Sequence, residues 1–133
     1  MTHLLDTNSC VDHLRKGRGS NITARLAAAV PRGVALCSVV MAELLYGAHR
    51  SVRKTQTLIQ VQSFCRQFQS LPFDDQAAEE YGLIRAHLAS LGTPIGPNDL
   101  MIASIALANG LTVVTHNTSE FSRVPGLKFE DWQ

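Results

Sequence analysis

Apolar runs too short to be helices alternate, along this chain, with longer segments whose apolar residues recur at helical spacing. His3-Leu4-Leu5 ends in the capping cluster Asp6-Thr7-Asn8, which predicts a strand feeding a helix over about Asn8 to Arg15. Lys16-Gly-Arg-Gly-Ser20 reads as a loop, with Ser20 capping an alanine-rich helix that ends before Pro31-Arg32-Gly33. Val34-Ala-Leu-Cys37 reads as a second strand, and Ser38 as the cap of a helix over Val39 to His49. The next helix, about Lys54 to Phe68, carries Leu58, Val61, Cys65 and Phe68 on one side. Ser70-Leu-Pro-Phe73 follows as a short strand whose proline suits an edge.

Asp74 caps a helix reaching Gly92, with Ala77, Ala78, Tyr81, Ile84, Leu88 and Leu91 facing inward. Pro97 suits the first position of a helix that runs to Asn109 and stops at Gly110. Leu111-Thr-Val-Val-Thr115 is the clearest strand, and a turn through Asn117 and Ser119 leads to a last one at Leu127-Lys-Phe-Glu130. Short strands apolar on both faces, separated by one or two helices, indicate an α/β chain: a three-layer α/β/α arrangement around a mainly parallel sheet. The 133 residues suit a single domain, 1–133, with no internal repeat or linker.

Cys10, Cys37 and Cys65 lie in mostly apolar settings without CxxC or CxxH spacing, so they read as reduced core thiols of a cytoplasmic protein. No signal-like N-terminus and no run long enough for a membrane span is present, so a soluble protein with no membrane partner is expected. The net charge of +1 excludes a strongly basic tail, although Arg15, Lys16 and Arg18 make a local group. Such a group contacts phosphates in some proteins and is a solvated helix end in most.

The acids are more informative. Asp74, Asp75, Glu79 and Glu80 open a helix, where negative charge is favourable, and Asp12, Glu130 and Asp131 fall on polar stretches. Asp6, Glu43, Asp99 and Glu120 instead lie in or beside apolar segments. In a parallel sheet the helix N-termini and strand C-termini share one edge, the ligand-binding edge of open α/β sheets. Asp6 ends the first strand, Glu43 and Asp99 lie near helix starts, and Glu120 follows the Leu111–Thr115 strand, so all four are expected at that edge. Two like charges about 4 Å apart repel by roughly 4 kcal/mol at an effective dielectric of about 20, which protonation or a metal must relieve. An all-carboxylate set suits Mg²⁺ or Mn²⁺ and, through substrate phosphate oxygens, phosphodiester cleavage. Taken singly, Asp6 and Asp99 also serve as helix caps and Glu120 as a surface turn residue.

Leu-Leu-Asp6-Thr-Asn8, Ser38-Val-Val-Met-Ala-Glu43-Leu, Ile95-Gly-Pro-Asn98-Asp99-Leu-Met-Ile-Ala103 and Val-Val-Thr115-His-Asn117-Thr-Ser-Glu120-Phe121 occur in that order, followed by Phe121-Ser-Arg-Val-Pro-Gly-Leu127 and Glu130-Asp-Trp132. Over nearly the whole chain this resembles the PIN-domain ribonucleases, specifically the VapC-type toxins of bacterial toxin-antitoxin pairs. The resemblance implies a PIN-like fold and a metal-dependent endoribonuclease with Asp6, Glu43, Asp99 and Glu120 around Mg²⁺ or Mn²⁺. It further implies cleavage of RNA, with structured RNA such as tRNA a frequent substrate, and hence inhibited translation. A homodimer is implied, as is silencing by a cognate antitoxin that carries the only contact with DNA. Glu120 stands where many relatives have Asp. Thr7, Asn8, Thr115 and Asn117 are placed to orient carboxylates or to hold turns, and His116 occupies a variable position.

Two other readings compete. Asp6-Thr-Asn8 loosely resembles the motif of phosphotransferases that form an aspartyl-phosphate, but those want an acid at position 8 and a well-placed lysine. A catalytically silent PIN-like protein-binding module is the second, although a scaffold has no reason to sustain four clustered acids.

Overall fold

The computed structural model describes residues 1–29 and 33–133. The Pro31-Arg32 turn expected from the sequence falls outside them. The chain runs β1 (His3–Leu5), α1 (Thr7–Lys16), a 3-10 turn (Gly17–Gly19), α2 (Asn21–Ala29), β2 (Val34–Cys37), α3 (Ser38–His49), α4 (Lys54–Cys65), β3 (Gln69–Leu71), α5 (Asp75–Ser90), α6 (Pro97–Asn109), β4 (Thr112–Val114), α7 (Thr118–Phe121) and β5 (Phe129–Glu130). The five strands form one sheet in the order β3-β2-β1-β4-β5, and every pairing is parallel. β3 lies at an edge and ends at Leu71, one residue before Pro72, rather than running through the proline to Phe73.

Right-handed crossovers place the helices. From β1 to β2 to β3 the chain steps in one direction, which puts α1 to α4 on one face, where α3 packs on α1 and α4. From β3 it returns past β2 and β1 to reach β4, so α5 and α6 cover the opposite face and pack tightly on each other. The order therefore reverses between β1 and β4. Such a switch point leaves a crevice beyond the strand C-termini.

The local signals act as written in the sequence. Ser20 Oγ accepts the Thr23 N–H at 3.2 Å, Asp74 Oδ1 accepts that of Ala77 at 3.0 Å, and Pro97 begins α6. Gly110 ends α6 at φ +66°, a left-handed conformation that costs glycine least. The α6 segment Ile102–Ala106 is wholly buried, and its one polar member, Ser104, donates to Leu100 O at 2.7 Å.

Several expectations need correction. Cys37, not Ser38, is the residue that precedes α3, and it makes no side-chain cap. Ala78 and Leu91 are exposed: Ala78 lies a third of a turn off the Ala77–Ile84–Leu88 stripe, and Leu91 follows the end of α5, where helical periodicity no longer aims it. α4 stops at Cys65, and Phe64 joins Val61 and Cys65 in the core. The stretch after β4 is not a simple turn; Glu120 lies within α7. All three cysteines are free and buried, and burial raises each thiol, that of Cys37 to about 11. No helix among the described residues is long and apolar enough to cross a membrane.

Candidate active site

Asp6 follows β1 beside the crevice, with its backbone N–H bonded to Val114 O of β4 at 3.1 Å. It is only 2% exposed, and its Oδ1 accepts the Ser9 N–H at 2.8 Å, so the helix cap and the site acid are the same residue. Burial raises its carboxyl above the ordinary value, Thr115 and Ser9 oppose this by hydrogen bonding, and the Glu43 charge adds to it.

Glu43 projects from the second turn of α3, and the Thr7 hydroxyl donates to its Oε1 at 2.5 Å. Asp99 stands in the first turn of α6. These three acids, with Thr7, Asn8, Gly96, Pro97 and Asn98, line one pocket of about 240 Å³. The topology thus gathers strand β1 and two helix N-termini from opposite faces of the sheet at a single opening.

Glu120 reaches the same place from α7. Its Oε1 accepts the Gly96 N–H at 3.0 Å, and its Oε2 accepts the Asn117 side-chain amide, which also reaches Asp99 Oδ2 at 3.3 Å. Asp99 is pushed up to about 7, first by burial, then by its hydrogen bond to Glu120 and by the charges of Glu120 and Asp6. In Glu120, burial is outweighed by the Gly96 N–H and by hydrogen bonds from Asp99 and Asn117, so its carboxyl lies below the ordinary value. The two carboxyls are thus shifted in opposite directions, Asp99 up and Glu120 down.

Among the described residues, no three Asp, Glu, His or Cys side chains stand close enough together, as placed, to hold a metal ion. What the pocket offers is an open, all-oxygen set of three carboxylates with room for water. Such a set fits a hard cation that keeps several water ligands better than it fits zinc.

The remaining sequence candidates are dispersed. Thr115 Oγ1 accepts the Asn117 N–H at 2.9 Å, holding the turn that presents Asn117. Arg15 lines a groove with Glu43 between α1, α3 and α4, Lys16 is paired with Asp12 at 2.8 Å, and Arg18 is exposed in the 3-10 turn. His116 pairs with Asp131 at 2.9 Å. Sequence reasoning passed over Ser9, Gly96, Asn98 and Arg123. Of these, only Asn98 carried a signal, a polar residue beside Asp99 at a helix start. Arg123 matters through a carbonyl 29 residues away, that of Pro94, to which its Nη1 donates at 3.0 Å.

The PIN domain family model matches residues 3–127. The tRNA(fMet)-specific endonuclease VapC of Salmonella typhimurium is 42% identical over 129 residues, spanning 97% of this chain and 96% of the relative. Among solved structures, DNA-bound VapBC from Salmonella typhimurium superposes with a TM-score of 0.94 at 40% identity, covering 100% of this chain and 99% of that one. VapBC2 from Rickettsia felis, bound to a DNA fragment from its promoter, gives 0.93 at 35% identity and covers 100% of both chains.

Proposed function

The chain belongs to the PIN-domain ribonucleases as a VapC-type toxin, and from that premise we propose that Asp6, Glu43 and Asp99 hold Mg²⁺ or Mn²⁺ for hydrolysis of an RNA phosphodiester. The observation that carries this reading is the meeting of those three acids in one pocket at the β1/β4 crevice. The chemistry such an ion brings is activation of an attacking water and neutralisation of charge on the phosphate.

The chain's own residues hold the acids ready. Ser9 N–H and Thr115 aim Asp6, the Thr7 hydroxyl fixes Glu43, and Asn117 ties Asp99 to Glu120. Asn8 and Asn98 add polar lining near the phosphate. Glu120 acts from the rim, through Asp99, because Asp6, Glu43 and Asp99 line the pocket while Glu120 reaches Gly96 and Asp99 beside it.

Structured RNA, tRNA(fMet) included, is the substrate class, and its cleavage inhibits translation in the cytoplasm. Arg15, Lys16 and Arg18 meet the RNA backbone beyond the acids. The toxin works as a homodimer, and a cognate antitoxin silences it and mediates any contact with DNA.

Mapping of new RNA ends after incubation with total cellular RNA tests this reading. Metal-dependent ends within tRNA, suppressed by the small partner encoded beside this gene, are expected. A cut pattern identical with and without chelator would contradict it.

A further inference from the structure

A second cavity, of about 370 Å³, lies between α5 and the segment before α6. Buried Leu88, Ile95 and Leu100 line it together with Pro94, Tyr81 and Arg85. Arg85 lies over the Tyr81 ring, 5.8 Å from its centroid, and donates to its hydroxyl at 3.0 Å. Phe73 meets the same ring edge-on at 5.8 Å, which fixes the ring's attitude. Among the described residues no carboxylate pairs with Arg85, so its charge is unspent.

Pro97 lines both this cavity and the acid pocket, so only the Ile95-Gly96-Pro97 segment separates them. That segment and Pro94 before it are held by two hydrogen bonds, Gly96 N–H to Glu120 of α7 and Arg123, two residues past α7, to Pro94 O. A substrate whose phosphate lies at the acids therefore has a preformed cavity one loop away.

We propose that this cavity takes one unpaired base of the RNA substrate, next to the cleaved phosphodiester. The inference rests on the nuclease reading and deepens it. Unstacked RNA bases are captured on aromatic rings and guanidinium planes above apolar floors, the chemistry that Tyr81, Arg85, Leu88 and Leu100 present. The free positive charge of Arg85 complements the adjoining backbone, and the Tyr81 hydroxyl offers a polar handle for the base edge.

The test uses hairpin RNAs carrying 2-aminopurine at each loop position in turn, mixed with the full-length protein in chelator so that binding is read without cleavage. In the wild type, fluorescence is quenched at one loop position. Tyr81→Leu and Arg85→Gln, checked for unchanged thermal midpoints, lose that quench and bind the hairpin about 10-fold or more weakly. Arg85 is exposed, so Arg85→Gln keeps the test valid if Tyr81→Leu unfolds. The same quench surviving in both variants, or quenching at no position, overturns the proposal. Cleavage by the wild type in Mg²⁺, assayed in parallel, scores the nuclease reading separately.

Discussion

Gly96 donates its backbone N–H to Glu120 Oε1 at 3.0 Å, joining the residue before α6 to the acid of α7 across 24 positions of sequence. Through this contact, and through Asn117, the fourth acid braces the segment before α6 and the turn after β4. Glu120→Gln keeps an acceptor for Gly96 and is expected to cut cleavage less than 10-fold, whereas Glu120→Ala frees the segment before α6 and costs about 10- to 100-fold, the range typical of groups that support metal ligands. Steady-state cleavage by the two variants, with Mn²⁺ affinity measured alongside, checks the order.

Asp99 makes stability without metal depend on pH. Its folded-state value is about 7 against an ordinary 3.8, so the folded protein binds the extra proton and the stabilisation is complete only at low pH. Stability is therefore lost as pH rises through about 4 to 7, and the raised Asp6 acts in the same direction. Glu120, lowered, opposes this only near and below its ordinary 4.5. Thermal melts in chelator should fall from about pH 5 to about pH 8, and Mg²⁺ should raise the midpoint more at the upper end. Asp99→Asn removes most of the slope.

Thr7→Val keeps the shape of the side chain and deletes the donor to Glu43. Calorimetric titration with Mn²⁺ should show affinity about 10- to 100-fold weaker, with the fold intact.

Asp74 is the control for an acid that only caps. Its Oδ1 accepts the Ala77 N–H at the start of α5, away from the pocket. Asp74→Ala is expected to cost about 0.5–2 kcal/mol in denaturant unfolding while cleavage per folded molecule is unchanged.

The legible parts of this fold were those set by local chemistry. Ser20, Asp74, Pro97 and Gly110 mark helix ends through bonds made within a few residues, and β1, β2 and β4 are apolar on both faces because the sheet is covered on both sides. The adjacency of β1 and β4 was not legible, since it pairs residues more than a hundred positions apart and leaves no local trace. The site divides the same way. Placement of Asp6, Glu43 and Asp99 at one edge follows from strand and helix polarity alone, whereas the helix that carries Glu120 and the Arg123 to Pro94 contact depend on α7 packing beside a distant loop.

The most direct measurement is Mn²⁺ binding by electron paramagnetic resonance, made on the same samples assayed for RNA cleavage, for wild type, Asp6→Asn and Asp99→Asn. Binding and cleavage should fall together by more than about 100-fold in both variants, beyond the effect of losing a merely supporting group, while each variant melts no lower than wild type in chelator. Metal-dependent cleavage undiminished in both would contradict the assignment of the pocket.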